Sequence, residues 1–203
     1  MAELVIPSLL QTLYMVFFST VFSILIGFPL GILLVITEKG NIWEKPILNN
    51  VLNSIINLLR SFPFLILMIL LFPLSKLIIG KTIGTTATIV PLSIAAAPFV
   101  ARVMESSLKE VDRGVIELSL SMGATTPQII TRVLIPEALP SIILGITLTI
   151  INIIGYSAMA GSIGGGGLGD LAIRFGLYRF QTNVMVIAVI IIIILVQSVQ
   201  FVG

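Results

Sequence analysis

The chain has 203 residues, of which 57% are hydrophobic and 10% are charged, and its formal net charge is +2. A soluble domain has roughly 45–50% apolar and about 25% charged residues. So few charges cannot cover a water-exposed surface, so lipid must solvate most of this protein. Cys and His are both absent, which excludes disulfides, thiolate chemistry and the commonest general base and metal ligand. The net charge is small and the basic residues are scattered along the chain, so the sequence gives no indication of nucleic-acid binding.

Five apolar segments meet or approach the roughly 20 residues that a membrane-spanning helix needs. They are predicted at about 9–36, 53–74, 83–102, 139–160 and 183–203. The second is short unless it begins near Val51, which would place Asn53, Asn57 and Arg60 at an interface with their polar groups toward protein. The sequence therefore predicts an all-α integral membrane protein in which residues 1–203 form one transmembrane domain of five helices.

Basic residues in the connections predict the orientation, because cytoplasmic loops carry an excess of Lys and Arg. With the N-terminus outside, seven lie on the inner side: Lys39, Lys45, Arg60, Arg102, Lys109, Arg113 and Arg132. Four lie on the outer side: Lys76, Lys81, Arg174 and Arg179. The distribution favours N-out and C-in.

The connection between the third and fourth segments, from Arg102 to Glu137, is far longer than a helix hairpin needs, and long connections are usually functional. Four apolar residues in it recur at helical spacing, which predicts one stripe on a short helix: Val111, Val115, Leu118 and Met122. Asp112 is suited to cap the start of this helix and Gly123 to end it. Thr126 and Pro127 predict the N-cap and first residue of another helix, and Pro136 predicts a further break.

Within this connection stand Glu117, Leu118 and Ser119, then Gly123, and after nine further residues the run VLIP at 133–136. This pattern resembles the EAA motif of ABC importer permeases, although Leu118 replaces the usual alanine. In that family the segment is a cytoplasmic coupling helix that seats in a cleft of the ATPase, which places it here at 112–126. The resemblance implies ATPase contact by Val115, Glu117, Leu118, Ser119, Met122, Gly123 and Ala124.

The similarity extends along the chain and is closer to the permeases of methionine importers. The segments that carry it are RSFPF at 60–64, IVPL at 89–92, APFVAR at 97–102, MGAT at 122–125, PEALP at 136–140 and GYSAMAG at 155–161. It implies the type I ABC importer permease fold, a homodimeric pore, two cytoplasmic ATPases and an external substrate-binding lipoprotein. It also implies import of methionine, including D-methionine and related amino acids, across the bacterial cytoplasmic membrane. No cofactor is expected on this chain, because ATP and Mg belong to the ATPase.

Other interpretations of these features remain open. The short helix could lie on the membrane surface, and Glu117 could pair within its own loop. Tyr156, Ser157 and Met159 are candidates for lining the translocation path, but ordinary packing would also use them. Gly80-Lys81-Thr82 and the glycine run 164–169 imitate phosphate-binding loops, yet neither has the strand context of such a loop, so both are interpreted as turns.

Three other functions compete with methionine import. Ion-coupled carriers place acidic residues or His within their spans, and the predicted spans of this chain contain neither. The chain also has no complete P-loop, so the energy for uphill import must come from another polypeptide. A channel or carrier that uses backbone carbonyls at broken helices is the first alternative. A membrane scaffold in which Gly27, Gly31 and Gly145 serve close packing is the second. An ABC importer for another small amino acid is the third.

Overall fold

The computed structural model describes residues 2–203, which form eleven α-helices and two π-helical turns and contain no β-strand. The α-helices are α1 Ala2–Ile36, α2 Pro46–Ser61, α3 Phe64–Leu70, α4 Phe72–Ile79, α5 Thr85–Lys109, α6 Arg113–Ser121, α7 Thr126–Ile129, α8 Ile135–Glu137, α9 Leu139–Gly161, α10 Gly167–Leu171 and α11 Thr182–Val202. The π-helical turns are Ile130–Leu134 and Ala172–Leu177. The prediction of an all-α protein is confirmed.

Four helices, α1, α5, α9 and α11, are long and apolar enough to cross a membrane, and α2 with α3 makes a fifth candidate that is bent by 105°. The structure thus differs from the continuous helix expected over 53–74. Phe62 is extended, with φ −74° and ψ 133°, because the ring of Pro63 disfavours a helical residue before it. The helix before this break also begins earlier than expected, at Pro46.

The centre of the fold is the pairing of α1 with α5. Gly27 and Gly31 allow the two backbones to approach closely. A Cβ added to Gly27 would lie 2.6 Å from the carbonyl oxygen of Ala97, and one added to Gly31 would lie 2.6 Å from the Cβ of Met104. α9 packs against both α5 and α1, while α11 is largely exposed.

The connection between α9 and α11 folds back onto the start of α1. The backbone amide of Gly167 donates to Oε1 of Gln11 at 2.9 Å, and the amide of Leu168 donates to Oγ1 of Thr12 at 2.8 Å. Leu168 and Leu171 are buried there. The glycine run therefore forms a close-packed turn, as the missing strand context predicted, and its last glycines begin α10. Gly80 likewise forms a turn, because it ends α4 with φ 81°.

Candidate functional site

Local signals at both ends define α6. At its start, Oδ1 of Asp112 accepts a hydrogen bond from the amide of Gly114 at 2.6 Å. At its end, Gly123 has φ 78°, its amide donates to the carbonyl of Leu120 at 2.9 Å, and the amide of Ala124 donates to the carbonyl of Ser119 at 3.0 Å. This pair of bonds is a Schellman motif. The predicted helix with an Asp cap and a Gly stop is confirmed.

The segment after α6 differs from the prediction in two respects. Thr125, not Thr126, is the N-cap, since Thr125 is extended and its amide donates to Oε1 of Gln128 at 2.8 Å. The break expected at Pro136 is instead a widened π turn over Ile130–Leu134, after which the helical path continues. The π turn lies directly before Pro136, whose ring nitrogen cannot donate a hydrogen bond to the preceding helical turn.

One face of α6 packs against the helix bundle. Ser119 is buried, and Ile116 is half-buried against a cluster that contains Ile129 and Leu134, both fully buried. The hydroxyl of Ser119 donates to the carbonyl of Val115 at 2.8 Å, so this polar group is satisfied within the helix. These contacts fix the orientation of α6 relative to the ends of the long helices.

The predicted apolar residues of α6 lie on the exposed side. We call Val115, Leu118 and Met122 the α6 stripe; Leu118 is 60% exposed and Met122 is 72% exposed. Val111, the fourth predicted member, is half-buried in the cluster below. Contiguous exposed apolar side chains on a capped, oriented helix are typical of an interaction surface.

Glu117 adds a charge beside the stripe. Within residues 2–203 its carboxylate makes no ion pair or side-chain hydrogen bond, and only its backbone carbonyl is used, as the acceptor for the hydroxyl of Ser121 at 2.9 Å. The local pairing considered for Glu117 is therefore not observed. Its carboxylate is accessible to a partner.

The three candidate path residues on α9 do not share one surface. Tyr156 is half-buried, and its ring stacks on Phe64 of α3 with centroids 4.2 Å apart and planes 9° apart. Ser157 is buried, and its hydroxyl donates to the carbonyl of Ile154 at 2.8 Å. Met159 alone is exposed, at 50%.

Asn152 was missed by the sequence analysis. It lies one turn before Tyr156, is half-buried, and its amide makes no side-chain hydrogen bond in the part of the chain that the structure describes. The only side-chain amide in this span, whose other polar side chains carry hydroxyl groups, is the signal that would have identified it, because polar groups at membrane depth require a partner or water.

Comparisons with known proteins agree with this architecture. Residues 27–202 match the family described as binding-protein-dependent transport system inner membrane component. The chain is 48% identical over 202 residues to the probable D-methionine transport system permease protein MetI of Vibrio cholerae, covering 100% of this chain and 90% of that protein. It is 52% identical over 201 residues to the protein of the same name from Pasteurella multocida, covering 99% and 93%.

A solved structure extends the agreement to the fold. A chain of the MetNI methionine ABC transporter in an inward-facing conformation superposes with a TM-score of 0.98 at 42% sequence identity, covering 100% of this chain and 94% of that chain. The family match covers most of the sequence, and it includes the capped helix α6 together with the long helices α5 and α9. The chain belongs to the family of binding-protein-dependent transport system inner membrane components.

Proposed function

We propose that this chain is the membrane-spanning permease subunit of an ABC importer that carries methionine, including D-methionine and related amino acids. The observation that carries the importer role is α6, a capped helix with an exposed apolar stripe at the end of a lipid-embedded bundle. The methionine assignment is supported by near full-length relatives whose names specify D-methionine transport.

The proposed assembly contains two copies of this chain around one pore, two cytoplasmic ATPases and an external substrate-binding lipoprotein, with the type I permease fold. It lies in the bacterial cytoplasmic membrane with the N-terminus outside, which places α6 in the cytoplasm. This chain catalyses no reaction in the assembly. ATP and Mg bind to the ATPases, and no cofactor binds to this chain.

In the proposed mechanism the α6 stripe enters a cleft of the ATPase. Each fully buried side chain of this size stabilises such a contact by about 1.5–3 kcal/mol, and Glu117 adds a charge at its rim. Ser119 and Ala124 hold α6 to its own chain, and Gly123 sets the reversal that follows. A helix of nine residues transmits a rigid displacement that a flexible loop would absorb.

The proposed translocation path runs along the exposed side of α9, where Met159 lies with Gly155 and the edge of Asn152. Tyr156 and Ser157 support this surface from within the protomer. Methionine is zwitterionic and modestly apolar, so a surface of Met, Gly and one amide passes it without fixed charges. Selection among amino acids then belongs mainly to the external binding protein.

The first test is affinity purification of the chain from gently solubilised native membranes, followed by mass spectrometry. We expect a P-loop ATPase in equal amount, and we expect it to be lost when Glu117 and Gly123 are changed together. Recovery of the chain alone, still able to move solute in vesicles, would instead support a channel or carrier that is independent of ATP.

The orientation has its own test, which the absence of native Cys makes simple. A Lys81→Cys variant should react with an impermeant thiol reagent in cells whose outer envelope is permeabilised, because the connection before α5 is proposed to lie outside. Lys109→Cys is the matched control on the other side and should stay unlabelled. Labelling at 109 alone would invert the proposed topology.

A further inference from the structure

A chain of ion pairs runs along the last two turns of α5. Nη1 of Arg102 lies 2.6 Å from Oε2 of Glu105, and Nζ of Lys109 lies 3.0 Å from the other oxygen of the same carboxylate. Lys109 also reaches Oε1 of Glu38, just beyond α1, at 3.1 Å. The side chain of Glu105, at the centre of this row of ion pairs, is only 12% exposed and is therefore shielded from solvent. The pair between Lys109 and Glu38 connects α5 to the segment that follows α1.

The same chain of contacts continues to α2. Nη2 of Arg102 donates to Oδ1 of Asn57 at 2.8 Å. At the other end of α2, Nδ2 of Asn49 donates to the carbonyl of Leu34 at 2.7 Å and to the hydroxyl of Thr37 at 3.0 Å. Asn53, between them, donates to Oδ1 of Asn49 at 2.8 Å.

The side of α2 that faces α1 and α5 combines these hydrogen bonds with packing of Ile56 against Leu34 and Ala101. The exposed side of α2 carries apolar residues at helical spacing: Ile47, Val51, Ile55 and Leu58. Only Ile56 of α2 is fully buried. The position of α2 against α1 and α5 therefore depends on apolar packing together with hydrogen bonds, and Arg102 supplies the hydrogen bond nearest the bend into α3.

These contacts between α5 and α2 lie between the two parts of the permease that are proposed to function in transport, α6 and α9. Ile116 of α6 packs on the buried cluster that includes Leu108 near the end of α5. Past the bend, Phe64 of α3 stacks on Tyr156 of α9. A path of contacts thus leads from α6 through this buried cluster to α5, and from α5 through α2 and α3 to α9, the helix that carries Met159.

We propose that Arg102 and Glu105 are positioning residues that hold α2 to the end of α5, so that displacement of α6 reaches the α2–α3 bend and α9. The inference rests on the proposed function. Arg102 contacts Glu105 and Asn57 at once because a guanidinium has several donors in a rigid fork, which a lysine ammonium lacks. Energetic coupling between distant sites requires a chain of contacts of this kind or an equivalent two-state element.

The test uses the complete complex of permease and ATPase in proteoliposomes, with binding protein and radiolabelled methionine outside. Arg102→Gln removes the fork, and Asn57→Ala removes one acceptor but leaves every ion pair in place. Lys39→Gln is the matched control, because Lys39 is exposed and makes no ion pair within residues 2–203. The readouts are methionine imported per ATP hydrolysed and the thermal midpoint of the complex.

We expect both variants to retain ATP hydrolysis and to import at least about fivefold less methionine per ATP, the lower end of the usual range for coupling between sites. The double variant should lose no more than the worse single one, because both changes break the same hydrogen bond. Arg102→Lys should give an intermediate ratio, and Lys39→Gln should match the unaltered complex.

An unchanged ratio in both single variants, even with a lower thermal midpoint, would overturn the positioning role. The positioning role would also be overturned if the double variant lost as much coupling as the product of the two single losses. If the Arg102→Gln variant fails to assemble, the Asn57→Ala variant alone decides whether the positioning role holds, because Asn57 is exposed and its replacement should not disturb folding. The unaltered complex tests the proposed function separately: if it imports methionine with ATP while the variants stay coupled, only the positioning role fails. If it imports none, the proposed function and the inference fail together.

Discussion

Two connections of this chain, one holding α6 and the other holding α10, use glycine for opposite purposes. Gly123 after α6 has φ 78° and nothing within 4 Å of an added Cβ, so only its backbone conformation requires glycine. Gly169 in α10 has a helical backbone, but an added Cβ would lie 2.6 Å from the Cα of Ala158. The first connection leaves the side chain of Leu118 exposed on the protein surface, whereas the second buries the side chain of Leu168. The first connection therefore keeps an apolar side chain exposed, and the second closes the chain on itself.

The largest effect is expected in the α10 connection. Gly169→Ala forces its methyl group into the backbone of α9, and overpacking of this kind costs about 1–3 kcal/mol, or more where backbone must move. We expect a large loss of monodisperse protein by fluorescence-detected size-exclusion chromatography. Gly155→Ala on α9, which has open space around its Cβ, is the control. Equal yields for the two variants would mean that the connection is not close-packed.

The next effect should separate folding from partner binding. Leu118→Asp puts a charge in the middle of the α6 stripe and should abolish copurification of the ATPase while leaving the yield of permease unchanged. Leu120→Asp is its matched control: Leu120 is on the same helix and 46% exposed, but two residues place it about 200° around the helix axis. Equal loss of the ATPase in both variants would contradict the assignment of the stripe.

A smaller effect on coupling is expected at Gly123, where a substitution changes only the preference for the left-handed backbone conformation. Gly123→Val disfavours the left-handed backbone by about 1–2 kcal/mol and should lower methionine uptake per ATP hydrolysed without removing the protein from the membrane. Gly123→Asn should keep most of the coupling, since Asn tolerates this conformation. Full coupling in the valine variant would show that the turn after α6 has no role in transmission.

The comparison also explains which features the sequence could predict. The start and end of α6 depend on Asp112, Gly123 and a stripe within twelve residues, so local pattern was enough to predict them. The hydrogen bond between Asn57 and Arg102 joins residues 45 positions apart, and nothing near either residue indicates its partner. The bend before α3 was missed because an apolar run suggested one span, although Pro63 marked the point where it breaks.

The candidate site shows the same division between local and distant information. The apolar stripe of α6 followed from helical spacing, but the separation of Tyr156 from Met159 did not. Tyr156 turns inward because Phe64, from a different helix, offers its ring for stacking. Three residues that are neighbours in sequence thus face different surroundings, and only tertiary contacts decide which of them is exposed.

The most direct test of the central claim is methionine uptake by proteoliposomes that contain this chain with its copurified ATPase and the external binding protein. We expect radiolabelled methionine to accumulate against its gradient when ATP is supplied on the ATPase side, and not when ATP is omitted. Uptake that only equilibrates, at the same rate with and without ATP, would contradict the account and favour an ATP-independent channel or carrier.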